Sequence, residues 1–166
     1  GSEAHLTTAR AIATQSVTLI RDHAEAFPLK PETTIPLLWP DTARVSGESL
    51  AAACPAFQPI YAPIAPTDAQ QAEIIKALAG APLVYVGCYA IQHRPEWTAM
   101  LRRIGENRLA LLSMNTPYDI MQLPGAAAAV VTYSDQPVAI EALAAALLGD
   151  QPMQGTLPVE IPGMAP

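Results

Sequence analysis

The stretch LVYVGCYAIQHRPEWTAMLRRIGENRLALLSM, residues 83–114, decides the fold. Leu83 to Cys88 is a short apolar run with β-branched and aromatic residues, which reads as a buried strand. Pro95 suits the first turn of a helix, because its missing N–H would have no partner there anyway. Trp97, Met100, Leu101 and Ile104 then recur at helical spacing, and Gly105 ends the helix. Arg108 to Met114 is a second apolar run and a second strand. Strands that are apolar on both faces and separated by a helix predict a parallel sheet covered on both sides.

The same alternation extends in both directions. Towards the N-terminus, Leu6, Ala9, Ala13, Val17 and Ile20 share helical spacing and predict a helix over about residues 4–22. Ile35 to Trp39 reads as a buried strand bounded by prolines, and residues 46–54 as a short helix. Residues 57–63 read as a weaker strand whose prolines place it at an edge. Thr67 and Gln70 form a capping box for a helix with Ile74, Ile75 and Leu78 on its apolar face, and Gly80 is placed to end it in the left-handed conformation. Towards the C-terminus, residues 127–133 make another strand. Ile140, Leu143, Ala144 and Leu147 form a last helix face before Gly149, and residues 155–162 read as a closing strand. The prediction is an α/β fold, a three-layer α/β/α sandwich with a mostly parallel sheet of five or six strands. Gly1 and Ser2 read as a cloning remnant, and residues 3–166 as a single domain.

Residues 116–125, TPYDIMQLPG, fall between two of these strands. Thr116 can cap a helix, Pro117 suits its first position, and Asp119 stands where a carboxylate reaches back to the cap N–H. Pro124 and Gly125 stop that helix after about two turns. Tyr118 is left to pack on the sheet edge or to face a neighbouring domain.

Composition narrows the function. The chain carries 9 Lys and Arg against 15 Asp and Glu, for a net charge of −6. No basic patch is present to neutralise phosphates, so nucleic acid is not an expected partner. No apolar run is long enough to span a bilayer. Charged residues are only 14% of the chain, which is low for a free-standing domain and suits a surface built to face a partner. Cys54 and Cys88 belong to no metal-ligand spacing and read as buried free thiols. The glycine fingerprint of dinucleotide sites and the nucleophile elbow are both absent, so no cofactor or metal is expected.

Ligands of open parallel sheets bind beyond the carboxyl ends of the strands. That edge should carry Pro40 and Asp41, Tyr89 to His93, Asn115 to Asp119, and Tyr133 with Ser134. Asp41 is an acid on this edge, and His93 is a loop histidine with Tyr89, Gln92 and Arg94 around it. Trp97 belongs to the core, whereas Trp39 ends a strand and is open to either a core or a sugar-stacking role. Glu73, Glu96 and Glu141 fall on helices and should be solvated.

The order of several segments resembles the C-terminal domain of glycoside hydrolase family 3, nearest its β-N-acetylhexosaminidase branch. The segments are ARAIATQSVTLIRD, FPLK, TPYDIMQLPGAAAAVVTYS and PVAIEALAAALLGDQPMQGTLPVEIP. Ala13, Ser16, Thr18 and Leu19 match the family's first-helix pattern. Pro117, Tyr118 and Asp119 match its PYD element, and Gly155, Leu157, Pro158 and Val159 its terminal element. The resemblance implies an α/β sandwich that accompanies a (β/α)8 barrel. In such enzymes the barrel carries the nucleophilic aspartate and, in this branch, the His/Asp acid–base pair. A barrel takes roughly 200 residues or more, so this chain does not contain one. No glutamate here stands where the β-glucosidase branch places its acid/base.

The expectation is therefore an accessory domain that braces a barrel, is not catalytic alone, and lines part of a sugar cleft. Asp41, His93, Tyr118 and Asp119 are the candidate contacts to substrate or barrel. Carbohydrate and a homodimer are further expected partners. The alternative is a free-standing α/β module that binds a small ligand or a protein. A complete small hydrolase using His93 and a nearby acid is the remaining reading.

Overall fold

The structure, a computed structural model, describes residues 2–30 and 34–162. Its elements in chain order are α1 (Glu3–Ser16), β1 (Thr18–Asp22), β2 (Ile35–Pro40), α2 (Arg44–Ala53), β3 (Phe57–Ala62), α3 (Asp68–Ala77), β4 (Val84–Cys88), α4 (Pro95–Ile104), β5 (Leu109–Ser113), α5 (Asp119–Gln122), β6 (Ala128–Val131) and α6 (Pro137–Leu148). The strands form one six-stranded sheet in the order β1-β6-β5-β4-β2-β3. All pairings are parallel except β1 with β6.

Side chains alternate across the sheet with the two-residue period of a strand. Leu37, Trp39, Tyr85, Ala110 and Leu112 enter one core with α1, α2 and α6. Leu38, Val84, Val86, Leu109 and Leu111 enter the other with α3, α4 and α5. Every residue of β4, β5 and β6 is buried. This is why these strands read as continuous apolar runs, and it makes the molecule a three-layer α/β/α sandwich. The proline-containing β3 is an edge strand, as its sequence predicts. The capping box at Thr67 and Gln70 is formed, and Gly105 ends α4. Gly80 is not in the left-handed region; α3 ends instead with Leu78 in helical geometry.

Three expectations need correction. The N-terminal helix stops at Ser16 rather than near residue 22, and Thr18–Asp22 is a strand. Val17 packs on one face of the sheet and Ile20 on the other, which no single helix face allows. Threonine, leucine and isoleucine here find a better use pairing with β6 than extending a short exposed helix. His23 follows this strand and donates its backbone N–H to the Ala127 carbonyl at 2.8 Å.

The closing segment is not a strand. Residues 151–162 run without regular structure from the α6 side, where Met153 packs, around β1 to the other face, where Leu157 and Ile161 pack. Among the described residues of this segment only Gly155 bonds to the backbone at the start of β1, with its amide nitrogen 2.9 Å from the Val17 carbonyl oxygen. Pro158 and Pro162 have no N–H to extend a ladder.

The helix after Thr116 is a single turn, Asp119–Gln122. Asp119 does not cap it. Its carboxylate is fully buried and turned to a different element.

A candidate ligand cleft at the strand ends

The winding of the sheet reverses between β2 and β4. From β2 the chain passes through α2, on one face, to the outer neighbour β3. From β4 it passes through α4 and α5, on the opposite face, towards β5 and β6. The two connections diverge at the carboxyl ends of β2 and β4 and leave a crevice there, the place where open α/β sheets take ligands.

The crevice is real in this molecule. A cleft of about 280 Å³ is lined by Thr42 and Ala43 after β2, Ile64 after β3, Tyr89 to Arg94 in part after β4, Asn115 after β5, and Asp135 after β6. All five parallel strand ends contribute. A second cleft of about 370 Å³ adjoins it between the first turns of α2 and α6 and shares Thr42, Ala43 and Asp135 with it. A larger recess of about 570 Å³ opens at the opposite end of β2 and β4, around Ile35, Pro36, Leu83 and Tyr85. It presents fewer convergent polar side chains and lies away from the switch point.

The cleft wall stands on a rigid base. The Trp39 indole, fully buried at the end of β2, lies between Gly47 of α2 and Gly87 of β4. A Cβ on Gly47 would sit 2.7 Å from the ring, and one on Gly87 2.6 Å from it. The Trp39 Nε1–H donates to the Ala43 carbonyl at 3.0 Å, and the Ser46 hydroxyl donates to the same oxygen at 2.8 Å. Ser46 therefore accepts from the Tyr89 hydroxyl, 2.7 Å away. Tyr89 stands edge-on to Trp39, with ring centroids 6.0 Å apart. Desolvation raises its phenol above the ordinary range, so it stays a neutral donor. Trp39 is thus a core residue that supports Ala43 and Tyr89 of the cleft lining, and not a sugar platform.

The β4 side of the cleft is a tight turn. Ala90 adopts the left-handed conformation (φ 52°), and Ile91–His93 forms one 3₁₀ turn. Asp119 Oδ1 accepts the Ile91 N–H at 2.8 Å, and the Thr98 hydroxyl donates to the Ile91 carbonyl at 2.9 Å. Burial pushes the Asp119 carboxyl up to about 6; the Ile91 amide, the Ser113 hydroxyl and the Ala90 amide offset part of that rise. Asp119 Oδ2 is buried with no well-aligned partner. Ser113 and Ala90 are therefore close enough to favour the charge without closing a good bond. Cys88 lies in the same field; burial first, then Asp119, raises its thiol well above the ordinary value. Cys54 is also buried, and desolvation with Asp150 raises it to about 11.

The four candidate residues occupy four different settings. His93 is exposed and lines the cleft. Asp41 is exposed, opens the turn after β2 and lines the adjoining cleft. Tyr118 is 38% exposed at the start of α5 and lines neither. Asp119 lies beneath the cleft at 0% exposure and reaches it only through the Ile91 turn. Asp135 is the cleft residue that sequence reasoning passed over. It follows Tyr133 and Ser134, so the strand-end rule applied one residue further would have found it. Among the described residues it is the only acid lining the cleft. With His93, Arg94 and Asn115 it offers hydrogen-bond donors and acceptors of both kinds, which suits a polyhydroxyl ligand.

Sheet order and cleft define the class: a doubly wound α/β domain with a candidate ligand cleft at the switch point. No protein-family model and no curated protein matches the chain by sequence. Solved structures share the fold. A glycoside hydrolase family 3 β-N-acetylglucosaminidase from Paenibacillus sp. str. FPU-7 is 23% identical with a TM-score of 0.82, over 99% of this chain and 34% of that one. A fungal multi-domain GH3 β-N-acetylglucosaminidase with a GCN5-related glucosamine N-acetyltransferase region is 22% identical with a TM-score of 0.83, over 100% of this chain and 20% of that one. A GH3 β-glucosidase from Bifidobacterium adolescentis is 14% identical with a TM-score of 0.69, over 90% and 28%. The chain thus has the fold of one domain of these larger enzymes, spanning about a third or less of their length.

Proposed function

We propose that this chain is the C-terminal accessory domain of a family 3 glycoside hydrolase of the β-N-acetylhexosaminidase type. It braces a (β/α)8 barrel, lends its strand-end cleft to the sugar site, and is not catalytic alone. The observation that carries this reading is the near-complete cover of the chain by a fraction of two β-N-acetylglucosaminidases. Fold likeness alone does not give activity, and the cleft supplies the second support. It gathers polar side chains from four of the five parallel strand ends but, among the described residues, only one carboxylate, where glycoside hydrolysis ordinarily needs two across the scissile bond.

The same end of the molecule has apolar side chains to set against a partner. Val45 is 78% exposed, and Tyr118 and Met121 are 38% and 41% exposed. Val45 stands in the first turn of α2, after β2, and Tyr118 and Met121 follow β5. Bared in the isolated chain, this surface favours self-association, which sedimentation would register. The test of the reading is hydrolysis of a chromogenic β-N-acetylglucosaminide by this chain alone and by the chain joined to its native upstream sequence.

A further inference from the structure

Asp119 is a buried carboxyl that neither capping nor ligand contact explains. It is completely removed from solvent, yet among the described residues the only well-formed bond to its side chain is from the Ile91 N–H to Oδ1, at 2.8 Å. That bond crosses from α5 to the turn after β4. The turn needs holding, because Ala90 sits in a left-handed conformation that is unfavourable for a non-glycine residue. Thr98 grips the Ile91 carbonyl from the other side. The two bonds fix one residue from above and below, and the next positions, His93 and Arg94, form the cleft wall. Oδ2, buried with no well-aligned partner, is the atom where a proton can be accepted.

We propose that Asp119 is a proton-gated anchor of the Ala90–Arg94 turn, so that the shape of the strand-end cleft depends on whether this buried carboxyl is ionised. A carboxylate accepts an amide N–H more strongly than a neutral acid does. When a solvent proton reaches Oδ2, Oδ1 becomes the carbonyl oxygen of an uncharged acid and its hold on Ile91 weakens. The left-handed turn then loses part of what opposes its strain. Among the described residues, no other ionised side chain is buried beside it to override this response. Cys88 on β4 is the titratable neighbour, and burial keeps it a neutral thiol. His93 and Arg94 in the turn and Glu96 at the start of α4 are exposed. On α4, Arg102 is engaged with the Gln122 carbonyl and Arg103 with Gln71. The inference holds whatever the cleft receives.

The test is a pH titration of the Ile91 and Arg94 backbone amides by ¹H–¹⁵N NMR on the full chain, with the Asp119 side-chain carboxyl followed by ¹³C detection. Because His93 lies in the same turn, the same titration is run on His93→Asn. The expected result is a common transition of the Ile91 amide and the Asp119 carboxyl centred near 6, kept in His93→Asn and lost in Asp119→Asn. An Ile91 amide that does not move from pH 4 to 8, or whose transition disappears in His93→Asn, overturns the proposal. Should Asp119→Asn not fold, the carboxyl signal of the unaltered chain decides alone. A midpoint in the ordinary aspartate range overturns the proposal, and a raised midpoint shared with Ile91 sustains it.

Discussion

Gly87 and Gly47 show what a single missing side chain can do. Each leaves the space that the Trp39 ring fills, and the ring in turn holds the Ala43 carbonyl that orders the start of α2. Gly87→Ala would place a methyl 2.6 Å from two ring atoms of a fully buried indole, between two elements that cannot separate cheaply. Overpacking of this kind costs about 1–3 kcal/mol, so the variant should unfold at lower urea concentration. Gly47→Ala is the sharper case. In a free helix the change gains about 1 kcal/mol, but here the 2.7 Å contact should reverse the sign. Equal or higher stability in both variants would show that the ring can yield. Each of these residues was visible in the sequence as a strand-end Trp and two small residues, but nothing local shows that they meet.

Asp119 makes a second prediction at this scale. Its carboxyl is raised from 3.8 to about 6, chiefly by burial, a difference worth about 3 kcal/mol. The folded state binds the proton more tightly than the unfolded one. The group therefore costs nothing below pH about 4, and its cost grows as pH rises to about 6, then stays constant. Asp119→Asn keeps an acceptor for Ile91 without the charge. Its stability relative to the unaltered chain should rise through this window, by up to about 3 kcal/mol. Urea unfolding at several pH values reads this directly, and a difference independent of pH would contradict it. The spacing of Thr116 and Asp119 suggested a capping box because the motif is local. The partner chosen, Ile91, belongs to another element, and no spacing rule points to it.

Elements that pack on both sides were the legible ones. The β4–α4–β5 unit, the β6 strand and the last helix are clear apolar patterns, the strands buried throughout and the helices along their inward faces, and they lie where periodicity places them. The margins of the fold were not. Val17 and Ile20 fit a helical stripe and also fit opposite faces of a strand; the choice depends on β6, more than a hundred residues away along the chain. The tail has the apolar alternation of a strand, but it wraps the β1 edge instead of pairing along it. A Cβ on Gly155 would lie 2.3 Å from Thr18 Oγ1, so the tail is pressed against the start of that edge. Ile161, 5% exposed, is its anchor in the core beside Leu157 and Ile20. Ile161→Ala should cost about 2 kcal/mol, at the low end for a buried isoleucine because the site is near the surface. Thermal unfolding measures it, and an unchanged melting temperature would mean that the tail adds no stability through this residue.

At the scale of the molecule, the sheet order determines where the candidate site lies. Winding reverses between β2 and β4, and five strand ends converge on one polar cleft with exposed apolar residues beside it. The edge itself was legible from strand-end positions, including Asp41 and His93. The division of labour between its residues was not, because which side chains line the cleft and which lie under it depends on turns such as Ala90–His93. An accessory role makes sense of a cleft with one acid, a bare apolar rim and a fold found as a third or less of larger hydrolases.

The measurement that tests this most directly is the rate of chromogenic β-N-acetylglucosaminide hydrolysis by the isolated chain beside the chain extended through its native upstream sequence. The account predicts cleavage by the extended protein and none by the chain alone. Reproducible cleavage by the isolated chain, lost on substitution of His93, Asp41 or Asp135, would contradict it and make the strand-end cleft an active site in its own right.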